Sequence, residues 1–147
     1  MVARRAELLQ SLQASLGTPS EAYPCDVRDA AAMRAAAEGF ISKHGVPDLV
    51  IGNAGVSYGN DTAIAEDVEV FREILEINVL GLVNTFHPFV GPMRERKAGT
   101  LAGIASVAGF RGLPWGTAYS ASKACAWSCV AVACASPRSA PVSSPRR

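Results

Sequence analysis

The sequence predicts an α/β domain built on a parallel sheet. Three observations carry this expectation. Short apolar runs bounded by turn residues alternate with longer segments of helical periodicity, as strands and crossover helices do. The run Asp48-Leu49-Val50-Ile51 is continuously apolar after its first residue, which suits a strand buried on both faces. No segment of the chain repeats another.

Taken in order, Arg5 to Leu16 reads as a helix. Leu8, Leu9, Leu12 and Leu16 share one face, and Gly17 stops it. Glu21 to Val27 reads as a short strand, with Pro24 placing it at an edge or a strand end. Asp29 is positioned to cap an alanine-rich helix that reaches about His44 and ends at Gly45 and Pro47. After the Asp48 to Ile51 strand, Gly52-Asn53-Ala54-Gly55 forms a tight turn. Glu66 to about Arg96 is a long helical region in which Ile74, Leu75, Val79, Leu82 and Phe86 keep helical spacing. Pro88 and Pro92 are expected to disturb its far end. Gly99 to Ala105 reads as a third strand, and Ser106 to Gly116 as a glycine-rich loop. Thr117 is expected to cap a helix through Tyr119, Lys123 and Trp127.

The totals exclude some function classes. A formal net charge of +1 over 147 residues gives no footprint for nucleic acid or a membrane surface. The apolar stretches are interrupted and fall short of the roughly 20 residues of a membrane span. No apolar signal region follows Met1-Val2-Ala3-Arg4-Arg5, so a cytoplasmic protein is expected. Cys25, Cys125, Cys129 and Cys134 match no usual zinc spacing, and no metal site is expected. A partial domain over residues 1–135 is expected, then a disordered tail over 136–147 rich in Ser, Pro and Arg.

The segment Tyr119-Ser120-Ala121-Ser122-Lys123 carries the sharpest chemical signal. Positions four apart share a helix face, so a phenol and an ammonium stand side by side. A free phenol titrates near ~10, and a neighbouring positive charge favours its ionised form, making the pair a credible general acid and base. The same spacing also describes a solvated helix face. Ser106, at the end of a predicted strand, can hydrogen-bond a carbonyl as charge develops on it; equally, it can cap a turn. Asn78 interrupts an apolar helical run, which implies a buried polar contact. A core-edge asparagine satisfied by backbone fits the same pattern. Phe110, Leu113 and Trp115 suit either an apolar substrate wall or core packing.

Asn53-Ala54-Gly55, then Asn78, Ser106 and Tyr-Ser-Ala-Ser-Lys, in this order and spacing, resemble the short-chain dehydrogenases/reductases; Asp26-Val27 fits the acidic residue after that family's third strand. The resemblance covers roughly residues 3 to 124. It implies a partial Rossmann-like, doubly wound parallel sheet that lacks the first two strands. It implies a carbonyl/alcohol oxidoreductase using NADP(H) or NAD(H). Tyr119 would exchange the substrate proton, Lys123 would tune it and hold the nicotinamide ribose, Ser106 would polarise the carbonyl, and Asn78 would hold a relay water. Asp26 and Val27 would meet the adenine, while Asn53, Ala54 and Gly55 would line the cofactor cleft. Gly52 stands where a second asparagine is common in the family. Arg4 and Arg5 fall where the family selects its cofactor, and two arginines with no acid favour NADP(H).

On this resemblance the sequence starts at the equivalent of the second strand's end, so the glycine-rich phosphate turn is not among these residues. The sheet is then expected to have a hole at its centre, with an apolar edge exposed. The change of composition after Lys123 reads as a change of reading frame. This chain alone is therefore expected to be inactive. The alternative is a non-catalytic remnant that associates with a partner subunit, and the 66–96 helical region is the expected homo-oligomer surface.

Overall fold

Asp29 caps its helix as its position predicts: its carboxylate accepts from the backbone N–H groups of Ala31 and Ala32, each at 3.0 Å. In the computed structural model, which describes residues 1–129 and side chains as far as Ala126, this is helix α2, Ala30–His44. Gly45 ends it with φ 79°, a conformation glycine adopts without strain.

The other elements follow in order. They are β1 (Val2–Ala3), α1 (Ala6–Ser15), β2 (Tyr23–Pro24), β3 (Leu49–Gly52), α3 (Asp67–Leu75), α4 (Gly81–Arg96), β4 (Thr100–Gly103) and α5 (Thr117–Cys129). A π-helical turn, Glu76–Leu80, joins α3 to α4, and a 3-10 turn, Val107–Gly109, precedes α5. The strands form two separate parallel pairs. Val2 faces Tyr23 and Ala3 faces Pro24 in one; Leu49 faces Thr100 and Gly52 faces Gly103 in the other. Among the described residues no strand lies between β1 and β3, so the expected hole in the sheet is present. β1 fits the expected end of a second strand, shortened to two residues.

The core sits on one side of the β3–β4 pair. Leu82, Phe86 and Met93 of α4 pack with Leu101 of β4 and Ala126 of α5, and Val50 of β3 joins them. Each of the larger of these side chains contributes roughly 1.5–3 kcal/mol by burial. That packing carries α4 through Pro88 and Pro92 to Arg96, contrary to the expected disturbance. Each proline removes a helical hydrogen bond, but Phe86 and fully buried Met93 anchor the turns around them. The Arg96 guanidinium fastens the far end, donating to the carbonyl oxygens of Val46 at 2.6 Å and Pro47 at 2.8 Å.

Several sequence expectations are corrected. β3 is not buried on both faces: Leu49 is 51% and Ile51 54% exposed, because α4 covers one face and the other opens on the gap. Leu8, Leu12 and Leu16 are exposed and only Leu9 is buried, since α1 packs on nothing larger than β1 and β2. Thr117 is the first residue of α5 rather than its cap; Ser120 N–H donates to the Gly116 carbonyl at 2.8 Å. The strands expected over Glu21–Val27 and Gly99–Ala105 shrink to the stretches that find a partner. The 30-residue run Asp67–Arg96 is also long and apolar enough to cross a membrane by length and composition, which its interrupted sequence did not suggest. Here its apolar face is built into the core. The side chains of Trp127 and Cys129, Cys134, the 135/136 boundary and the tail expected over 136–147 lie outside the described residues.

Candidate active site and cofactor cleft

The gap between the two strand pairs is a cleft of about 840 Å³. Three strand ends contribute to its walls. Arg4 and Arg5 follow β1, Asp26 and Val27 follow β2, and Asn53, Ala54 and Gly55 follow β3; all seven line the cleft. Strand ends of parallel sheets are where such ligands sit, because the chain leaves the sheet there in loops free to face a crevice. The apolar floor is Leu49, Val50, Ile51, Ala37, Phe40 and Phe89.

The Asp26 turn is rigid. Arg28 donates to the Asp26 carboxylate from Nη2 at 2.7 Å and from its backbone N–H at 2.9 Å. That guanidinium holds the carboxyl below the usual range, with Arg4 adding a smaller pull in the same direction. Burial pushes the Cys25 thiol up, so it stays protonated in the cleft wall.

The second cluster lies where β3, the π turn and α5 meet. Asn78 is 4% exposed and commits both amide hydrogens and one Oδ1 lone pair. Its Oδ1 accepts from Val56 N–H at 2.8 Å, and its Nδ2 donates to the Val56 carbonyl at 2.9 Å and to Ser122 Oγ at 3.0 Å. Ser122 Oγ in turn donates to the Tyr119 carbonyl at 2.7 Å. One unbroken set of bonds therefore runs from the loop after β3, through the long helix, to the backbone of Tyr119. The π turn has a local cause for notice: such insertions re-aim side chains and are frequent at functional sites. Asn78 lies within it, so the core-edge reading and the functional reading both describe a satisfied amide.

Lys123 is 8% exposed and donates from Nζ to the Ile104 carbonyl at 2.8 Å, at the end of β4. Its ammonium stands 5.5 Å from the centre of the Tyr119 ring. The helix face is thus turned inward at Lys123 and is not a solvated one. Among the described residues no group hydrogen-bonds the Tyr119 hydroxyl. Ser106 does cap a turn: its Oγ accepts from Ala108 N–H at 3.2 Å. That uses a lone pair and leaves its hydroxyl proton to donate elsewhere. Gly55 closes the constellation. A Cβ there would sit 3.3 Å from Asn78 Oδ1 and 3.5 Å from Lys123 Nζ, so Gly55, a cleft residue, stands directly against both side chains.

Phe110, Leu113 and Trp115 are exposed on the loop before α5 and are not core residues. Trp115 has φ 60°, and its carbonyl accepts from the N–H of buried Asn60 at 2.8 Å. Residues that sequence reasoning passed over include Val56 and Ile104, which act through backbone atoms and leave no side-chain signal. Ser122 lies inside the Tyr-Ser-Ala-Ser-Lys segment, but only the Tyr119 and Lys123 spacing carries a signal in sequence. Asn84 was missed as well; its Nδ2 donates to the Val27 carbonyl at 2.9 Å. Among the described residues no three His, Cys, Asp or Glu side chains are gathered as metal ligands would be.

The short chain dehydrogenase family model matches residues 1–135. The chain belongs to the short-chain dehydrogenase/reductase family. It is 40% identical over 124 residues to an uncharacterized oxidoreductase of Myxococcus xanthus, covering 82% of this chain and 49% of that one. It is 30% identical to an NADPH-dependent pterin aldehyde reductase of Arabidopsis thaliana, covering 82% of this chain and 51% of that protein. The chain thus spans about half the length of these relatives. A metagenomic short-chain oxidoreductase in complex with NADP superposes with a TM-score of 0.78 at 27% identity, covering 87% of this chain and 59% of that one. Serine dehydrogenase from Escherichia coli superposes at 0.77 and 31% identity, over 84% of this chain and 57% of that one. The fold is accordingly the α/β Rossmann-like one of this family.

Proposed function

We propose that this chain carries the proton-transfer half of an NADP(H)-dependent carbonyl/alcohol oxidoreductase site and, taken alone, binds cofactor without completing turnover. The observation that carries this reading is the convergence of Asn78, Ser122, Tyr119 and Lys123 near Gly55, which itself lines the cleft.

A nicotinamide dinucleotide fits the residues at both ends of the cleft. Asp26 and Val27 suit the adenine, Arg4 and Arg5 suit a 2′-phosphate, and the space kept clear by Gly55 suits the ribose beside Lys123. The bound nicotinamide would supply or accept the hydride. Tyr119 holds the proton passed to or from a small-molecule carbonyl/alcohol oxygen, since its hydroxyl has no competing protein partner among the described residues. Ser106 donates its free hydroxyl proton to that same oxygen. Lys123 is fixed by Ile104 next to the phenol ring. Asn78 keeps one Oδ1 lone pair for a water between itself and Lys123. Phe110, Leu113 and Trp115 supply an apolar wall.

Titration with NADPH tests the reading through nucleotide fluorescence and thermal unfolding. Saturable binding with a rising melting temperature is expected, since a ligand that binds only the folded state stabilises it. No binding at millimolar NADPH would overturn it. A cooperative melt without binding would instead favour a non-catalytic partner subunit. Val68, Leu80 and Val83, exposed along the Asp67–Arg96 helix, support that second reading as a homo-oligomer face.

A further inference from the structure

Asn78 and Asn84 stand on one continuous helix, six positions apart, roughly 9 Å along its axis. Each reaches off the helix to grip a loop that forms a cleft wall. Asn78 bonds Val56, beyond β3. Asn84 Nδ2 donates to the Val27 carbonyl at 2.9 Å and lies 3.4 Å from the Arg28 carbonyl, beyond β2. A third contact reinforces the second grip. Gly81, one helical turn before Asn84, leaves room for the Val27 side chain: a Cβ at Gly81 would come 2.6 Å from Val27 Cγ2.

We propose that Asn84 is a positioning residue that sets the adenine wall of the cleft, as Asn78 sets the wall at the other end. The inference rests on the cofactor reading above and adds a residue to it. β2 has two residues and, among the described residues, pairs only with β1, so the sheet alone does little to hold the Asp26–Arg28 turn. The Asp26–Arg28 ion pair stiffens the turn internally but does not tie it to the rest of the fold. Asn84 supplies that tie across 57 residues of sequence, with Gly81 making room for it against Val27. Losing Asn84 leaves the Val27 carbonyl without its partner and frees the turn to drift from the cleft.

The test compares the unaltered chain with Asn84→Ala and Asn84→Asp; aspartate keeps the shape but has no N–H to donate. Two probes report on the two ends: adenosine 2′,5′-bisphosphate and nicotinamide mononucleotide, each followed by saturation-transfer NMR. Hydrogen exchange at the Arg28 amide, which donates to Asp26, reports on the turn without any ligand. Both variants are expected to weaken the adenosine probe about tenfold, the upper range for one hydrogen bond, and to leave the nicotinamide probe unchanged. Faster exchange at Arg28 is expected in both. Equal weakening of the two probes would mean general loss of structure and overturn the proposal. Unchanged adenosine binding and unchanged exchange would overturn it while leaving the cofactor reading intact. An unaltered chain that binds neither probe would overturn the cofactor reading, and the proposal with it.

Discussion

Asn78 and Val56 bond each other in both directions, the side-chain amide of one closing on the backbone amide of the other at 2.8 and 2.9 Å. This pairing substitutes a side chain for the neighbouring strand that the loop after β3 lacks. It also commits both Nδ2 hydrogens, the second going to Ser122.

Asn78→Ala should therefore act first on stability. It strands Val56 N–H, the Val56 carbonyl and Ser122 Oγ together, and each stranded buried group costs about 1–3 kcal/mol where water cannot reach it. Val56 is only half-buried, so a total loss of about 2–4 kcal/mol is expected by urea denaturation. A loss within ~0.5 kcal/mol, the range of ordinary surface substitutions, would show that the pairing does not hold the loop.

Gly109→Ala should disturb the lysine from its backbone side. A Cβ at Gly109 would lie 2.8 Å from the Lys123 carbonyl oxygen and 2.9 Å from its carbonyl carbon. Both are backbone atoms of α5, so no side chain can swing aside. The loop or the helix must shift, at about 1–3 kcal/mol. Gly112→Ala is the control, with nothing within 4 Å of its Cβ position. The pair should separate clearly in melting temperature, and equal melts would refute the contact.

How much of this was legible beforehand depends on what each feature answers to. The seven cleft residues came from the resemblance to the family, and they line one cleft because each follows a strand end and a parallel sheet gathers such ends. Asp29 was readable because a cap is a local bond. The two-residue β1 was not, since its extent is decided by pairing with Tyr23 and Pro24 across the chain. The π turn at Asn78 was not, because five residues are too few for apolar spacing to separate it from α-helix. The exposure of Leu49 and Ile51 depended on what covers the second face of β3, which the apolar run itself does not specify.

Stability should fall at acid pH through Glu21. Its carboxylate accepts from the Tyr23 hydroxyl and lies 3.1 Å from Lys43 Nζ and 3.2 Å from His44 Nε2. These partners, the Tyr23 bond foremost, hold its pKa down from 4.5 to about 2. A depressed carboxyl contributes stability above its unfolded value, and that contribution drains as pH falls through the folded one. The melting temperature should thus decline between about pH 4.5 and 2. Asp26, shifted in the same direction by Arg28, adds to the slope. Glu21→Gln should flatten the decline without abolishing it. An unchanged slope in that variant would remove Glu21 as a cause.

Gly52 stands where the resemblance places a second asparagine, and a Cβ on it would fall 2.2 Å from Leu82 Cδ1 and 3.2 Å from Phe86 Cζ. Leu82 thus fills the space an asparagine would need, and Gly52→Asn should cost about 1–3 kcal/mol through overpacking. Leu82→Ala alone should cost about 2–5 kcal/mol, since Leu82 is a buried member of the core. Combined, the two should be coupled: shortening Leu82 makes room for the introduced asparagine, so the double variant should lose less than the sum, by about 0.5–3 kcal/mol. Denaturant unfolding of the four proteins measures that coupling. Strict additivity would mean that Leu82 swings aside at no cost, and that glycine at this position owes nothing to the residue packed beneath it.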